Sequence, residues 1–472
     1  MTGPLPVGFR VELDPSADRL DERTLCGGSP PRVLRLTREG CEALAELSRG
    51  PIASAAAGRL ARRLTDAGLA HPRPPRSATP APVTVVIPVR DRAEMLDRCL
   101  AALGCTHPVV VVDDGSQDPA RVAEVAGRYG ARVVRHEIDL GPAAARNSGL
   151  AEVASDYVAF LDSDCVPAPG WIEELLPHLA DPEVAMVAPR IAPLASAGAR
   201  GRYSRAHSCL DMGPREGLVA AGTRLAYVPS AALVARRSAL LDAAGVPAFD
   251  PSLRQGEDVD LGWRLAERGY RVRYEPAVTV GHVEPDSWRA LMARRYRNGT
   301  SAGPLAARHR GALPPLVLAP GPALTVAGAL AGSPLAAGAG LAITAASRRR
   351  TLRRLGLTAW AAPRPGRLCG QAWVRTAAFA SQAGAPLAVG CLAIGAAVPG
   401  RRRWLRRIAA VCLLATPGVV EWVRRRPDLD PVRFAAAHLA DDLAYGAGVW
   451  RGCRDAGTAE PLRPVLVRSK GR

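Results

Sequence analysis

Lysine is all but missing from this 472-residue chain: among its 62 Lys and Arg residues only Lys470 is lysine. With 46 Gly and 42 Pro, the bias fits GC-rich coding and excludes little about function. Other absences exclude more. The ten cysteines, from Cys26 to Cys453, form no CxxC pair and join no His/Cys cluster at zinc spacing, so they read as reduced, mostly buried thiols. The first twenty residues carry Arg10, Glu12, Asp14, Asp18 and Arg19 and lack the apolar core of a secretory signal, so the N-terminus is expected to stay in the cytosol. Acidic residues run short only late in the chain. Residues 1–300 hold 37 Arg against 37 Asp plus Glu, and residues 301–472 hold 25 basic against 7 acidic, so the whole formal charge of +18 falls after residue 300. Nucleic-acid binding draws its affinity from phosphate neutralisation and is not expected of a neutral N-terminal region. An apolar share of 48% excludes a wholly disordered chain, and the length suggests two to four domains.

Residues 1–70 read as a small α+β module. Phe9–Leu13 and Arg32–Leu36 are extended candidates, Thr37 is an N-cap before Cys41, Leu44 and Leu47 at helical spacing, and a second helix runs through Leu60 and Leu64 to Gly68. Residues 71–82 are too proline-rich for regular structure and read as a linker. From residue 83 strands and helices alternate. Val83–Ile87, Val109–Val112, Arg132–Arg135 and Tyr157–Leu161 are strands, and helices lie between them. That order implies a mostly parallel sheet of the α/β class, with ligands beyond the carboxyl ends of the strands. Beyond residue 310 the uncharged runs Ala312–Ser347, Thr376–Gly400 and Ile408–Val420 are long enough for membrane spans, or for re-entrant or interfacial segments where prolines break them. Arginine clusters such as Arg348–Arg350 and Arg401–Arg403 flank them as expected for cytoplasmic anchoring. Residues 83–310 and 311–472 are accordingly read as a catalytic domain and a hydrophobic, arginine-rich helical region. The expected location is the cell membrane, with the catalytic domain on its cytoplasmic side.

Three acidic clusters carry the chemistry. Asp113-Asp114-Gly115-Ser116 follows an apolar strand, where a carboxylate can accept the imide N–H of a uracil-type base; the alternative is a turn that caps the next helix. Asp162-Ser163-Asp164 ends another strand, and two carboxylates one residue apart can bind a divalent cation that bridges diphosphate oxygens. Gly256-Glu257-Asp258-Val259-Asp260 opens a helix. Asp258 there is a candidate general base, and Trp263 is either a sugar-stacking platform or plain core.

In this order Val85–Asp91, the Asp113–Ser116 cluster, Ala144–Asn147, Phe160–Asp164 and Gly256–Asp258 resemble the family 2 inverting glycosyltransferases of GT-A fold, over roughly residues 83–300. The resemblance implies that Pro88, Arg90, Asp91, Asp113, Asp114 and Arg146 hold the nucleobase and that Asp162 contacts the ribose. It implies that Asp164 ligates Mg2+ or Mn2+, with His282 as a late metal ligand, and that Asp258, beside Glu257, is the base of a single displacement. Trp263 would face the acceptor. Arg90 stands where many relatives carry an aromatic residue, and a guanidinium can also stack.

Leu34–Thr37, Ala67–Pro72, Tyr227–Ala232 and Gly256–Leu265 with the arginine-rich tail are similar to the glycosyltransferases of the mycofactocin system. That similarity implies a UDP-hexose donor, a peptide-derived redox cofactor as acceptor, and a peptide-recognition role for residues 1–70; the alternative for that module is a winged-helix-like packing or DNA-binding unit. Other readings are a membrane transferase of cell-envelope polysaccharide or glycolipid synthesis, a nucleotidyltransferase, and a non-catalytic peptide-binding scaffold. A nucleotidyltransferase usually has a Gly-rich basic loop after its first strand, which Pro88–Arg92 is not, and the intact Asp114, Asp164 and Asp258 argue against a scaffold.

Overall fold

A computed structural model of the chain describes residues 3–75, 81–242, 247–356, 364–386 and 403–467. Lys470, Cys391, Arg401, Arg402 and most of the run ending at Gly400 lie outside the described residues. The chain forms two compact units, Met1–Leu194 with Ser208–Glu284, and Ala195–His207 with Pro285–Arg472.

The first unit is built on a nine-stranded sheet. Arg132–His136, Val109–Asp114, Val83–Val89 and Tyr157–Leu161 lie side by side in that order, all parallel. Ala232–Arg236 then pairs antiparallel with Tyr157–Leu161, and the sheet continues through Val184–Pro193 and Arg271–His282. The sequence dictates this burial. Val83, Val85, Ile87 and Val111 fill the core on one face, while Val86, Val110, Val112 and Phe160 fill it on the other, the period-2 alternation of a sheet covered on both sides. The strand order reverses between Val83–Val89 and Tyr157–Leu161, which creates a crevice at their carboxyl ends. This mixed α/β arrangement with a parallel centre fits a GT-A glycosyltransferase domain.

Residues before the sheet form two helices and two small sheets around Leu5, Phe9, Leu25, Leu47 and Leu64. Thr37 caps Arg38–Arg49 by accepting from the Gly40 N–H, and Ser54 caps Ala55–Asp66 from the Ala57 N–H. The stretch expected to be linker starts later than its prolines suggest. Ala70–Arg73 pairs antiparallel with Arg10–Leu13, and Pro72 is tolerated there because the strand lies at the edge of a two-stranded sheet. This module is pinned to the catalytic sheet's flank by charge. Arg62 donates to both oxygens of Asp181 at 2.7 and 2.8 Å with both side chains at most 5% exposed, and Arg271 grips Asp66 at 2.6 Å. Removing Asp181 leaves the buried Arg62 with only Glu183 at 3.3 Å and the Gly3 carbonyl at 3.1 Å, so Asp181→Ala is expected to cost about 3 kcal/mol in denaturant unfolding. A cost within about 0.5 kcal/mol, the range of ordinary surface changes, would show that the pair does not anchor the module.

The second unit is helical. The uncharged run Ala312–Ser347 folds as two pieces, Pro320–Leu330 and Pro334–Leu355, because Pro320, Pro322 and Pro334 sit in the first turns, where proline starts a helix but cannot continue one. Among the described residues no helix is long and apolar enough to cross a membrane. Trp288–Thr300 packs closely on Pro431–Asp455. A Cβ on Gly448 would lie 2.0 Å from the Tyr296 carbonyl oxygen, so these helices touch backbone to backbone. Among the described residues the cysteines form no disulfide; Cys99, Cys165, Cys369 and Cys453 are buried, but Cys105 and Cys412 are exposed.

Candidate active site

All three acidic clusters fall at one end of the parallel sheet. After Val109–Asp114 the chain turns at Gly115, whose φ of +73° and the Ile138 backbone only 2.6 Å from a would-be Cβ leave room for glycine alone. Both carboxylates of this turn are already engaged. Asp113 accepts from the Ser116 N–H at 3.0 Å and from Arg135 at 2.6 Å. Asp114 accepts from the Leu140 and Gly141 N–H groups at 3.0 and 2.8 Å and meets His136 Nδ1 at 2.8 Å. Asp114 therefore braces the turn that starts the helix Pro142–Ala151, and a nucleobase would have to compete with these donors. Asp91, which follows Pro88, Val89 and Arg90 at the end of the first parallel strand, holds a left-handed φ of +52°. Its N–H donates to Ser116 Oγ at 2.9 Å and its carboxylate accepts from the Gln117 N–H at 2.7 Å, so the two loops are tied together. Arg90 pairs with Asp139 and is half exposed.

Asp164 and His282 meet because Cys165–Pro167 pairs antiparallel with the end of Arg271–His282, with Cys165 opposite His282. Asp164 Oδ1 lies 3.6 Å from His282 Nε2, and Asp164 also pairs with Arg92. Burial alone would raise the Asp164 carboxyl, but His282 and Arg92 outweigh it and hold the group at about 2. Burial opposes charge on His282, yet Asp164 and Glu284 raise it to about 9. Glu284 Oε1 lies 3.4 Å from His282 Nδ1 and is itself held by Ser208 Oγ at 2.7 Å. A carboxylate oxygen and an imidazole nitrogen facing each other, with a second carboxylate behind the imidazole, are a donor set that could hold a divalent cation.

Arg146 sits between the second and third clusters. It is 3% exposed and donates to Asp162 at 2.7 Å and to Glu257 at 2.8 Å. Burial disfavours its charge, but Asp162 and Glu257 more than compensate and hold it protonated. The arginine expected at the nucleobase thus bridges two acidic clusters. Gly256, at φ +85°, turns the chain into the helix Glu257–Glu267 and brings Asp258 to the Ser230 N–H, which donates to its Oδ2 at 3.1 Å. Burial raises the Asp258 carboxyl, against the Ser230 N–H and Arg146. Burial and the neighbouring Asp258 charge lift Glu257 to about 7 despite Arg146. A carboxylate with raised basicity that is not wholly enclosed is suited to accept a proton from a hydroxyl.

Trp263 is 3% exposed and its indole N–H donates to the Ala226 carbonyl at 2.7 Å, so it packs as core and offers little of its ring to a sugar. Arg295 is turned to Asp441 inside the second unit. Sequence reasoning missed Arg92, Arg135, His136, Ser230 and Glu284. Of these only Glu284, two residues from His282, carried a local signal.

The chain matches the family described as "Glycosyl transferase family 2" over residues 84–240. It is 39% identical over 486 aligned positions to the pre-mycofactocin glycosyltransferase of Mycobacterium tuberculosis, covering 97% of this chain and 98% of that one. The succinoglycan biosynthesis protein ExoU of Rhizobium meliloti is 34% identical over 42% of this chain and 60% of its own length. Among solved structures, the Pyrobaculum calidifontis mannosyltransferase PcManGT, in complex with GDP-Man and Mn2+, is 20% identical over 73% of this chain and 88% of its own, with a TM-score of 0.39. With the acidic clusters in place on a parallel sheet and similarity that runs nearly end to end, this chain belongs to glycosyltransferase family 2.

Proposed function

We propose that the chain transfers a hexose, with UDP-glucose as donor, to a hydroxyl of the peptide-derived redox cofactor mycofactocin during its biosynthesis, with inversion at the anomeric carbon. The observation that carries this reading is the 39% identity over nearly the full length of both chains to a pre-mycofactocin glycosyltransferase. Asp258, oriented by the Ser230 N–H, takes the acceptor's hydroxyl proton as its oxygen attacks the anomeric carbon and the bond to the diphosphate breaks. Arg146 keeps Asp162 and Glu257 in register beside it. Asp164 and His282 would hold Mg2+ or Mn2+, which when bound supplies positive charge to the departing diphosphate. Residues 3–75 would take the acceptor's peptide precursor as an added strand on Arg32–Arg35, which ends the three-stranded sheet. The experiment that tests the reading incubates the full chain with UDP-glucose, Mn2+ and the mycofactocin precursor. Release of UDP with a mass gain of whole hexose units on the precursor is expected, and no gain on that acceptor would overturn it.

Membrane association is part of the same proposal. In the helix Arg403–Arg425, Trp404, Ile408, Val411, Val419 and Val423 are 45–66% exposed at spacings that gather them on one face, beside arginines, as an interfacial helix requires. The full chain should sediment with vesicles rich in anionic lipid, and Val411→Glu should weaken this. Equal recovery of both proteins in the supernatant would count against it.

A further inference from the structure

A second set of metal-ligating side chains lies in the second unit. His207 ends the segment Ala195–His207, Glu421 stands in the helix Arg403–Arg425 and His438 in the helix Pro431–Asp455. His207 Nδ1 and His438 Nε2 approach one oxygen, Glu421 Oε2, at 2.9 and 3.1 Å, and the three atoms lie within 4.8 Å of one another. Among the described residues no other three His, Cys, Asp or Glu side chains converge so closely.

The far nitrogens of both rings are also served. His207 Nε2 meets Asp441 Oδ2 at 3.1 Å, and His438 Nδ1 meets Asp442 Oδ2 at 3.4 Å, both carboxylates being 1% exposed. Those carboxylates are fixed in turn, Asp441 by Arg295 at 2.8 Å and Asp442 by Gln382 at 2.7 Å. An outer carboxylate on the non-ligating nitrogen is the usual way a ligating imidazole is held in one tautomer and orientation. The two rings lie tilted at 43° with their centroids 4.5 Å apart, so both present a nitrogen to the same Glu421 oxygen. His207 and Glu421 keep 21% and 23% side-chain exposure, which leaves an approach for a water as a further ligand.

We propose that His207, Glu421 and His438 bind a divalent transition-metal ion of the zinc class, with Asp441 and Asp442 orienting the two imidazoles. Two imidazoles and one carboxylate favour such an ion over Mg2+, which prefers oxygen. The ion ties the end of Ala195–His207 to two helices more than 200 residues further along the chain and so acts as a structural clamp of this unit.

The test uses the full-length chain without a histidine tag, as Asp164→Asn so that the other candidate metal site is disabled. After EDTA treatment it is titrated with Zn2+ against a chromophoric chelator, and Co2+ is added separately as a visible-absorbing probe. One Zn2+ per chain is expected, with tetrahedral Co2+ bands that Zn2+ displaces. Further changes Glu421→Gln and His438→Gln should each weaken Zn2+ at least tenfold with the far-ultraviolet dichroism unchanged. Absence of Co2+ bands in the parent protein, or equal zinc binding by all three proteins, would overturn the proposal. If either further variant does not fold, the Co2+ spectrum of the parent decides.

Discussion

Asp258→Asn is expected to lower kcat by about 10²- to 10⁴-fold, the usual worth of a general base, while donor binding is unchanged. The carboxamide keeps the shape and can still meet the Ser230 N–H, but it cannot take the acceptor's proton. The side chain is placed by Gly256 and Ser230 rather than by the ligand, so its replacement leaves the donor site in place. The pH dependence provides an independent check. Burial raises the Asp258 carboxyl, and Glu257 beside it sits at about 7. A base works only when ionised, so kcat/KM should fall as pH drops through a range above ordinary carboxylate values, toward neutrality. Because the two carboxyls interact, that limb belongs to the pair. A limb near pH 4, or unchanged turnover in Asp258→Asn, would remove Asp258 from this role.

The second large effect is expected at Asp164. A dication that meets a leaving diphosphate is worth several kcal/mol, and each 1.4 kcal/mol is tenfold in rate, so Asp164→Asn should lose about 10²–10⁴-fold in kcat/KM. The loss should come with a higher Mn2+ concentration for half-maximal activity, a shift that a purely structural role would not produce. EDTA should abolish wild-type activity, and added Mn2+ should restore it. Glu284→Gln, which alters the carboxylate facing His282 Nδ1, should weaken metal activation by about 10–100-fold. Full activity of the EDTA-treated enzyme would overturn metal dependence.

The legible parts of this molecule were those whose signal is local. Val109–Val112 is four β-branched residues in a row, and such a run is buried on both faces wherever it lies in an α/β sheet. The position of Asp164 could be read because two acidic clusters that directly follow apolar strands of one parallel sheet are unlikely by accident. Acidic residues at a helix start are common, and Asp258 stands out only through the resemblance to family 2 glycosyltransferases. The partners of these residues could not be read. Arg92 reaches Asp164 across 72 positions, and Arg146 reaches Glu257 across 111, through folding of the sheet rather than any spacing. Trp263 shows the opposite failure, since neighbouring acidic residues suggested a ligand platform while helical periodicity put it inward. Ala70–Arg73 was hidden by Pro72 and the prolines that follow it, of which edge pairing tolerates the first. The His207, Glu421 and His438 cluster had no sequence signature, because its members are 214 and 17 residues apart.

The most direct measurement is mass spectrometry of the mycofactocin pool in cells that carry this chain, cells that carry Asp258→Asn, and cells that lack it. Species that differ by whole hexose units are expected with the unaltered chain and should vanish in the other two. The same hexose-bearing species in cells lacking the chain would contradict its role as the transferase.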